Sequence, residues 1–493
     1  MLKKNGKQYL VYIFLVPLVL LFFLFRPAVG ETPKHYSELE FPELAEIQIP
    51  DYEKFELDNG LKVVLMEDHE LPLISGIALV RTGDRLEPAE KIGLANITGD
   101  VMRSGGTKYH DPDELNQLLE QRAASVETSI GTTSGRASFN ALSEDLEDVF
   151  GLFAEVLREP SFPQDKLDLA KKQIAGSIAR RNDDPKDIAS REFNKLIYGD
   201  RSPYARTIEY ATLDQINRQD LVEFYQKYFH PNNILLGIVG DFDSVKMRAL
   251  VEQKFGDWKR DSNIDRMGNL PSALASPAQP GGVFFVNRPQ LTQSNVLMGH
   301  VGGRLDSPDY PALAVMNGIL NGFGGRLFNQ VRSAKGLAYS VYAVWSPRYD
   351  YPGVFLAGAQ TRSETTVPLI EAIRAEIELI RNEPITPAEL EYAKDSTLNS
   401  FVFNFQDSSR ILSRILRYEY YGYPENFIFQ YQRGIEETTI EDVQRVAQKY
   451  LSPDKIVTLV VGNAAAIQPP LSSLGPETDV TSIDISIPKP QNS

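Results

Sequence analysis

Gly93-Leu94-Ala95-Asn96-Ile97-Thr98-Gly99-Asp100-Val101-Met102, running on into Ser104-Gly105-Gly106-Thr107, decides how this chain is read. Leu94, Ile97, Val101 and Met102 recur at helical spacing, so the segment predicts a helix with one buried face. Gly99 sits inside that helix, where glycine costs about 1 kcal/mol relative to alanine.

The stretch resembles the zinc-binding helix of the insulinase/pitrilysin-like (inverzincin) metallopeptidases, which reads G-L-A-H-x-x-E-H-M-x-x-x-G-T. In that family two histidines four residues apart hold zinc from one helix face, and the glutamate between them acts as base. Here the three positions are Asn96, Gly99 and Asp100. The amide of Asn96 offers zinc only a neutral carbonyl oxygen, Gly99 has nothing to take a proton from water, and Asp100 is a single carboxylate. The third zinc ligand of active members is a glutamate on a helix just ahead of a D-D-P-like stretch, here Asn182-Asp183-Asp184-Pro185. No carboxylate lies between Asp168 and Asp183, and the best-placed residue is Ser177. The resemblance therefore implies a member that holds no metal. The histidines, His35, His69, His110, His230 and His300, contain no pair at i, i+4 from which a site could be rebuilt, and each is expected to be structural or exposed.

A second motif points the other way. Val331-Arg332-Ser333-Ala334-Lys335-Gly336-Leu337-Ala338-Tyr339-Ser340-Val341-Tyr342 matches the family's C-terminal substrate motif, an arginine with a tyrosine seven residues later. The resemblance implies that Arg332 and Tyr339 face a zinc site in the other half-molecule. There arginine would bond substrate carbonyls and the tyrosine hydroxyl would stabilise charge on the scissile carbonyl. The alternative is a salt-bridged arginine and a core tyrosine. Asn321-Gly322-Phe323-Gly324-Gly325-Arg326 lacks the G-K-[ST] ending of a phosphate loop and reads as a turn between packed helices. An edge strand near Glu127 to Gly131 corresponds to the strand with which active members pair the substrate backbone.

The chain as a whole reads as two halves of one kind. Phe55 to Leu57 and Leu61 to Met66 flank Asp58-Asn59-Gly60, a hairpin signal, and Ile74 to Val80 reads as a buried strand. Helices are predicted at 113–122, 143–157 (with Ser143 as N-cap) and 165–181, and paired strands at 125–128 and 135–142. Tyr228, Pro231 and Gly240 recur as Tyr450, Pro453 and Gly462 at a constant offset of 222, each in the order helix end, proline turn, buried strand. Glu159-Pro160 recurs as Glu383-Pro384 at offset 224. The predicted class is α+β, a tandem duplication of two α/β-sandwich domains, which the resemblance turns into half of a clam-shell peptidase chamber. The expected boundaries are 51–262 and 283–465 for the two peptidase-like domains, 263–282 for a linker and 466–493 for an extended or loosely docked tail.

Residues 1–30 differ in kind. Lys3, Lys4 and Lys7 precede an apolar run from Tyr9 to Phe25 and the small residues Ala28-Val29-Gly30, the order of a secretory signal, with an uncleaved N-terminal anchor as the alternative. Taking away its four basic residues moves the formal net charge from −15 to −19, which argues against nucleic acid as a partner. The absence of cysteine excludes disulfides and thiol ligands. The reading that follows is an exported, periplasmic, non-catalytic subunit of a heterodimeric zinc metallopeptidase. It would hold no cofactor itself, bind peptide, and complete the site of a homologous H-x-x-E-H partner that brings the zinc. The rival is a peptide-binding or assembly protein with no enzymatic role.

Overall fold

Strands that are apolar at every position belong in the middle of a sheet covered on both faces. Ile234–Gly240 and Val457–Gly462 are of this kind, buried throughout, and each is the third strand of a six-stranded sheet. The computed structural model describes residues 47–267, 281–475 and 478–488, which puts the predicted signal segment and most of the predicted linker outside the described residues. The first sheet contains β1 (Glu53–Glu56), β2 (Lys62–Glu67), β3 (Leu73–Val80), β4 (Ser125–Ile130), β5 (Gly135–Leu142) and β6 (Ile234–Gly240), in the order β1-β2-β6-β3-β5-β4. The second contains β7 (Gly282–Asn287), β8 (Gln293–Val301), β9 (Ser340–Ser346), β10 (Val354–Arg362), β11 (Val457–Gly462) and β12 (Val480–Ser482), in the order β12-β7-β11-β8-β10-β9. In each sheet the buried strand runs parallel to one neighbour and antiparallel to the other. The architecture is a two-domain α+β fold in which one unit is repeated.

The repeat breaks at the first strand of each sheet. β1 comes from chain just ahead of β2 and pairs with it antiparallel, whereas β12 comes from the C-terminal tail and pairs with β7 parallel. The tail is thus a sheet strand, tied further by the Ile483 amide to the carbonyl of Phe285 at 2.8 Å and by Asn182 Nδ2 to the carbonyl of Ile485 at 2.6 Å. One predicted cap is corrected. Ser143–Asp145 forms a 3-10 turn, the α-helix runs Leu146–Arg158, and the Ser143 hydroxyl donates to Asp241 at 3.1 Å instead of capping. The side chain of Asp241 also accepts from His69 at 2.7 Å through its other oxygen.

The two halves exchange a helix. Pro185–Tyr198, which follows the N-terminal half's long helix Gln164–Arg180, packs Ile188, Ala189, Phe193 and Ile197 against Phe284, Val286, Leu459 and Val461 of the second sheet. Reciprocally, Ser408–Tyr421 lays Ile411, Leu412, Ile415 and Leu416 over Val64, Met66, Leu235 and Val239 of the first sheet. Each of these side chains except Ala189 gains about 1.5–3 kcal/mol on full burial, so the exchange is a major part of what joins the halves. It also explains why β6 and β11 carry apolar residues on both faces.

Candidate functional site

The Leu94–Ser104 helix forms as its periodicity requires, with Leu94, Ile97, Val101 and Met102 buried. Its N-cap, Gly93, has no side chain, and the cap is supplied from outside. The Glu87 carboxylate accepts the backbone N–H of Gly93 at 3.0 Å and of Ala95 at 2.9 Å, with Arg206 3.5 Å away. Burial pushes the Glu87 carboxyl up to about 7 against the pull of these donors. No local pattern marks Glu87 for this role, and sequence reading passes over it.

Edge strand β4 closes against this helix. Gly131 N–H donates to the carbonyl of Ser134 across the β4–β5 turn, so odd-numbered residues of β4 face β5, and Val126, Thr128 and Ile130 point their backbone groups outward. The helix meets that edge. Asn96 Nδ2 donates to the Ile130 carbonyl at 2.8 Å, Arg103 Nε to the Val126 carbonyl at 2.7 Å, and Thr128 Oγ1 to the helix carbonyl of Gly99 at 2.6 Å. A methyl group added at Gly99 would lie 2.5 Å from the Ile130 nitrogen and 2.8 Å from the Ser129 carbonyl carbon. The strand backbone leaves no room for any side chain there, least of all a glutamate. The expectation that this edge takes an incoming peptide strand meets the same fact, since two of its outward carbonyls are already engaged.

The remaining positions of the degenerate motif do not assemble a metal site. Asp100 stands at the exposed rim of the helix, where partial burial by its surroundings raises its carboxyl. Ser177 is exposed and donates its hydroxyl to Gln173 of its own helix at 3.1 Å. Among the described residues no three His, Cys, Asp or Glu side chains are placed to hold a metal ion. An amide committed to Ile130, a glycine walled in by backbone, one carboxylate and one hydroxyl do not fit zinc. The described histidines are occupied apart from one another: His69 with Asp241 at 2.7 Å and Glu67 at 3.2 Å, His110 with Glu155 at 2.8 Å, His230 with the Gln226 carbonyl at 2.6 Å, and His300 with the Val301 carbonyl at 2.8 Å and the Ser452 N–H at 3.3 Å. His35 lies outside the described residues.

Arg332 and Tyr339 come together in the second half. The helix Tyr310–Leu320 leads into the glycine turn, in which Tyr392 Oη takes the Gly324 N–H at 3.0 Å, so the turn has no free cradle for phosphate. A π-helix, Leu327–Ala334, follows; it is anchored from the turn by Arg326, which bonds both carboxylate oxygens of Glu389 at 2.6 and 3.2 Å. Gly336, at φ +62°, reverses the chain and delivers Tyr339 to the start of β9. The Arg332 guanidinium lies 5.2 Å from the centroid of the Tyr339 ring and 4.7 Å from that of Phe328. Tyr339 is 85% exposed and Phe323, edge-on to Phe328, is 78% exposed. The tyrosine is no core residue, and no carboxylate pairs with Arg332 among the described residues. No hydrogen bond, ion pair or ring contact joins the pair to the Leu94–Ser104 helix among those residues. A cation stacked between two rings presents its N–H edge to whatever lies in front of it.

Comparison with known proteins accords with this picture. Residues 62–209 match the family model for insulinase (peptidase family M16), and residues 215–397 match that for the peptidase M16 inactive domain. An uncharacterized zinc protease of Mycobacterium leprae is 26% identical over 407 residues, covering 80% of this chain and 88% of that one. The non-peptidase homolog YmxG of Helicobacter pylori is 23% identical over 415 residues, covering 81% and 91%. Among solved structures, a peptidase M16 inactive domain from Pseudomonas fluorescens superposes with a TM-score of 0.75 at 26% identity, covering 85% of this chain and all 100% of that one. The chain accordingly belongs to the insulinase family of peptidases, M16, as a member lacking the catalytic motif.

Proposed function

We propose that this chain is the non-catalytic, substrate-binding subunit of a heterodimeric zinc metallopeptidase that degrades or processes peptides. A homologous partner carrying H-x-x-E-H supplies the zinc, and this chain contributes half of the chamber and the Arg332/Tyr339 pair. One contrast carries the reading: the metal-motif helix is sealed by β4, while Tyr339 stays exposed with the half-buried Arg332 held against its ring. A residue pair kept ordered at the surface with nothing of its own to act on suits a site completed by another chain. The basic, apolar, small-residue order of residues 1–30 supports export to the periplasm. Among the described residues no helix is long and apolar enough to cross a membrane.

The test is reconstitution with an H-x-x-E-H relative from the same organism, followed by Tyr339→Phe. This change deletes one exposed hydroxyl and should leave the melting temperature and partner binding unchanged. Turnover of the complex should fall roughly 100-fold or more, since loss of one oxyanion donor costs about 2.7–4 kcal/mol in the chemical step. Arg332→Ala should act more on substrate binding, as a positioning contact is lost. The second reading, a peptide-binding or assembly protein without enzymatic role, draws on the likeness to the non-peptidase homolog of Helicobacter pylori. It gains if both variants leave a reconstituted complex fully active.

A further inference from the structure

The outer face of the first sheet is only partly covered. The Ser408–Tyr421 helix packs over β2 and β6, and beside it β5 turns Arg136, Ser138 and Asn140 outward. The groove between them, about 330 Å³, is lined in part by Arg136, Arg410, Arg414 and Arg417, and no acidic side chain lines it. Arg410 pairs with Asp407 at 2.9 Å. The other three have no carboxylate within ion-pair distance among the described residues. The Arg414 guanidinium lies 5.6 Å from the ring centroids of Phe401 and Phe405, and that of Arg417 lies 5.7 Å from the Tyr349 ring. Arg414 Nη1 also donates to the Tyr418 hydroxyl at 3.3 Å; stacking on rings fixes the plane of each guanidinium and leaves its remaining N–H groups free to bind.

Such a cluster is out of character with the chain, whose formal net charge is −15. Carboxylates are abundant, yet among the described residues none is placed against these three arginines, which leaves an anion from outside as a complementary partner. The size of the groove and its polar lining of Asn404, Ser409 and Ser413 suit an extended peptide, whose carboxylates arginine grips in bidentate pairs. A long polyanion suits it less. A neighbouring depression that shares Ser409 with the groove is bounded by Glu67, Asp68, Glu70 and Asp407, onto which a nucleic acid strand would have to run.

We propose that this groove binds a short acidic segment of peptide, held by Arg136, Arg414 and Arg417. It deepens the reading of the chain as a peptide-binding subunit and rests on it for the class of ligand. The test uses the full chain alone and fluorescence anisotropy. The probes are a labelled peptide of alternating Glu and Ala, the same peptide with Lys for Glu, and an oligothymidine. The Glu peptide should bind, more weakly as salt is added. The variant R136E/R417E, altered at two exposed positions, should keep its melting temperature, lose about tenfold or more of that affinity, and gain affinity for the Lys peptide. Absence of Glu-peptide binding, or binding indifferent to R136E/R417E, overturns the proposal, and oligothymidine binding tighter than the Glu peptide reassigns the groove to nucleic acid. Because no partner is present, this result stands apart from the Tyr339→Phe turnover test, and either can fail without the other.

Discussion

At position 99 it is the missing side chain that carries the information. Alanine there would gain about 1 kcal/mol of helix propensity but place a methyl group 2.5 Å from the Ile130 nitrogen, and overpacking of this kind costs about 1–3 kcal/mol. Backbone cannot swing aside as a side-chain tip can, so Gly99→Ala should lower stability by up to about 2 kcal/mol, read from denaturant midpoints. The same wall means that N96H/G99E/D100H should destabilise the chain and still bind no stoichiometric zinc after dialysis; tight one-to-one zinc would show that β4 yields. Glu87 makes a pH prediction. Its folded-state value of about 7 lies above the ordinary 4.5, so its contribution to stability is full below 4.5 and is lost as pH rises through 7. Relative to Glu87→Gln, the native chain should therefore lose stability between pH 5 and pH 8 in urea titrations. A shift in the opposite sense would mean that the Gly93 and Ala95 amides and Arg206 outweigh burial. At this scale the sequence told which chemistry was missing, because donor identity is written in the residue. It could not tell that Gly99 is obligatory, because the atoms that exclude a side chain belong to β4.

Elements were legible where one face is buried against the chain's own half. The hairpin at Asn59-Gly60, the buried strand of Ile74 to Val80 and the helix ending near Arg181 all follow from local periodicity and turn chemistry. Ser143 does not cap its helix because its hydroxyl is bonded to Asp241, a residue distant in sequence. The tail was underread because three residues of strand, Val480–Ser482, carry too little pattern to announce a sheet partner. The exchanged helices give the prediction at this scale. Leu416→Ala should cost about 2–5 kcal/mol and Phe193→Ala about 3–5 kcal/mol, since both side chains are buried against the opposite half. Each variant should lower a single unfolding transition. Two separated transitions, with only one half affected, would show that the halves unfold independently and that the exchange contributes little.

For the whole molecule, the sequence by itself determined the duplication, the family and the loss of the metal motif. Each is carried by residue identity and spacing, the 222-residue offset of Tyr228, Pro231 and Gly240 among them. It also determined the overall acidity of the chain. Tertiary structure alone decided how the halves hold one another, because a helix's apolar stripe says that it packs without saying on which of two similar sheets. It alone decided that β4 seals the Asn96–Gly99 face, and that Arg332 stacks on an exposed Tyr339. The same is true of the arginines gathered in one groove. Arg136 and Arg417 are separated by most of the chain, and their charges matter together only because Ser408–Tyr421 crosses to the sheet of the other half.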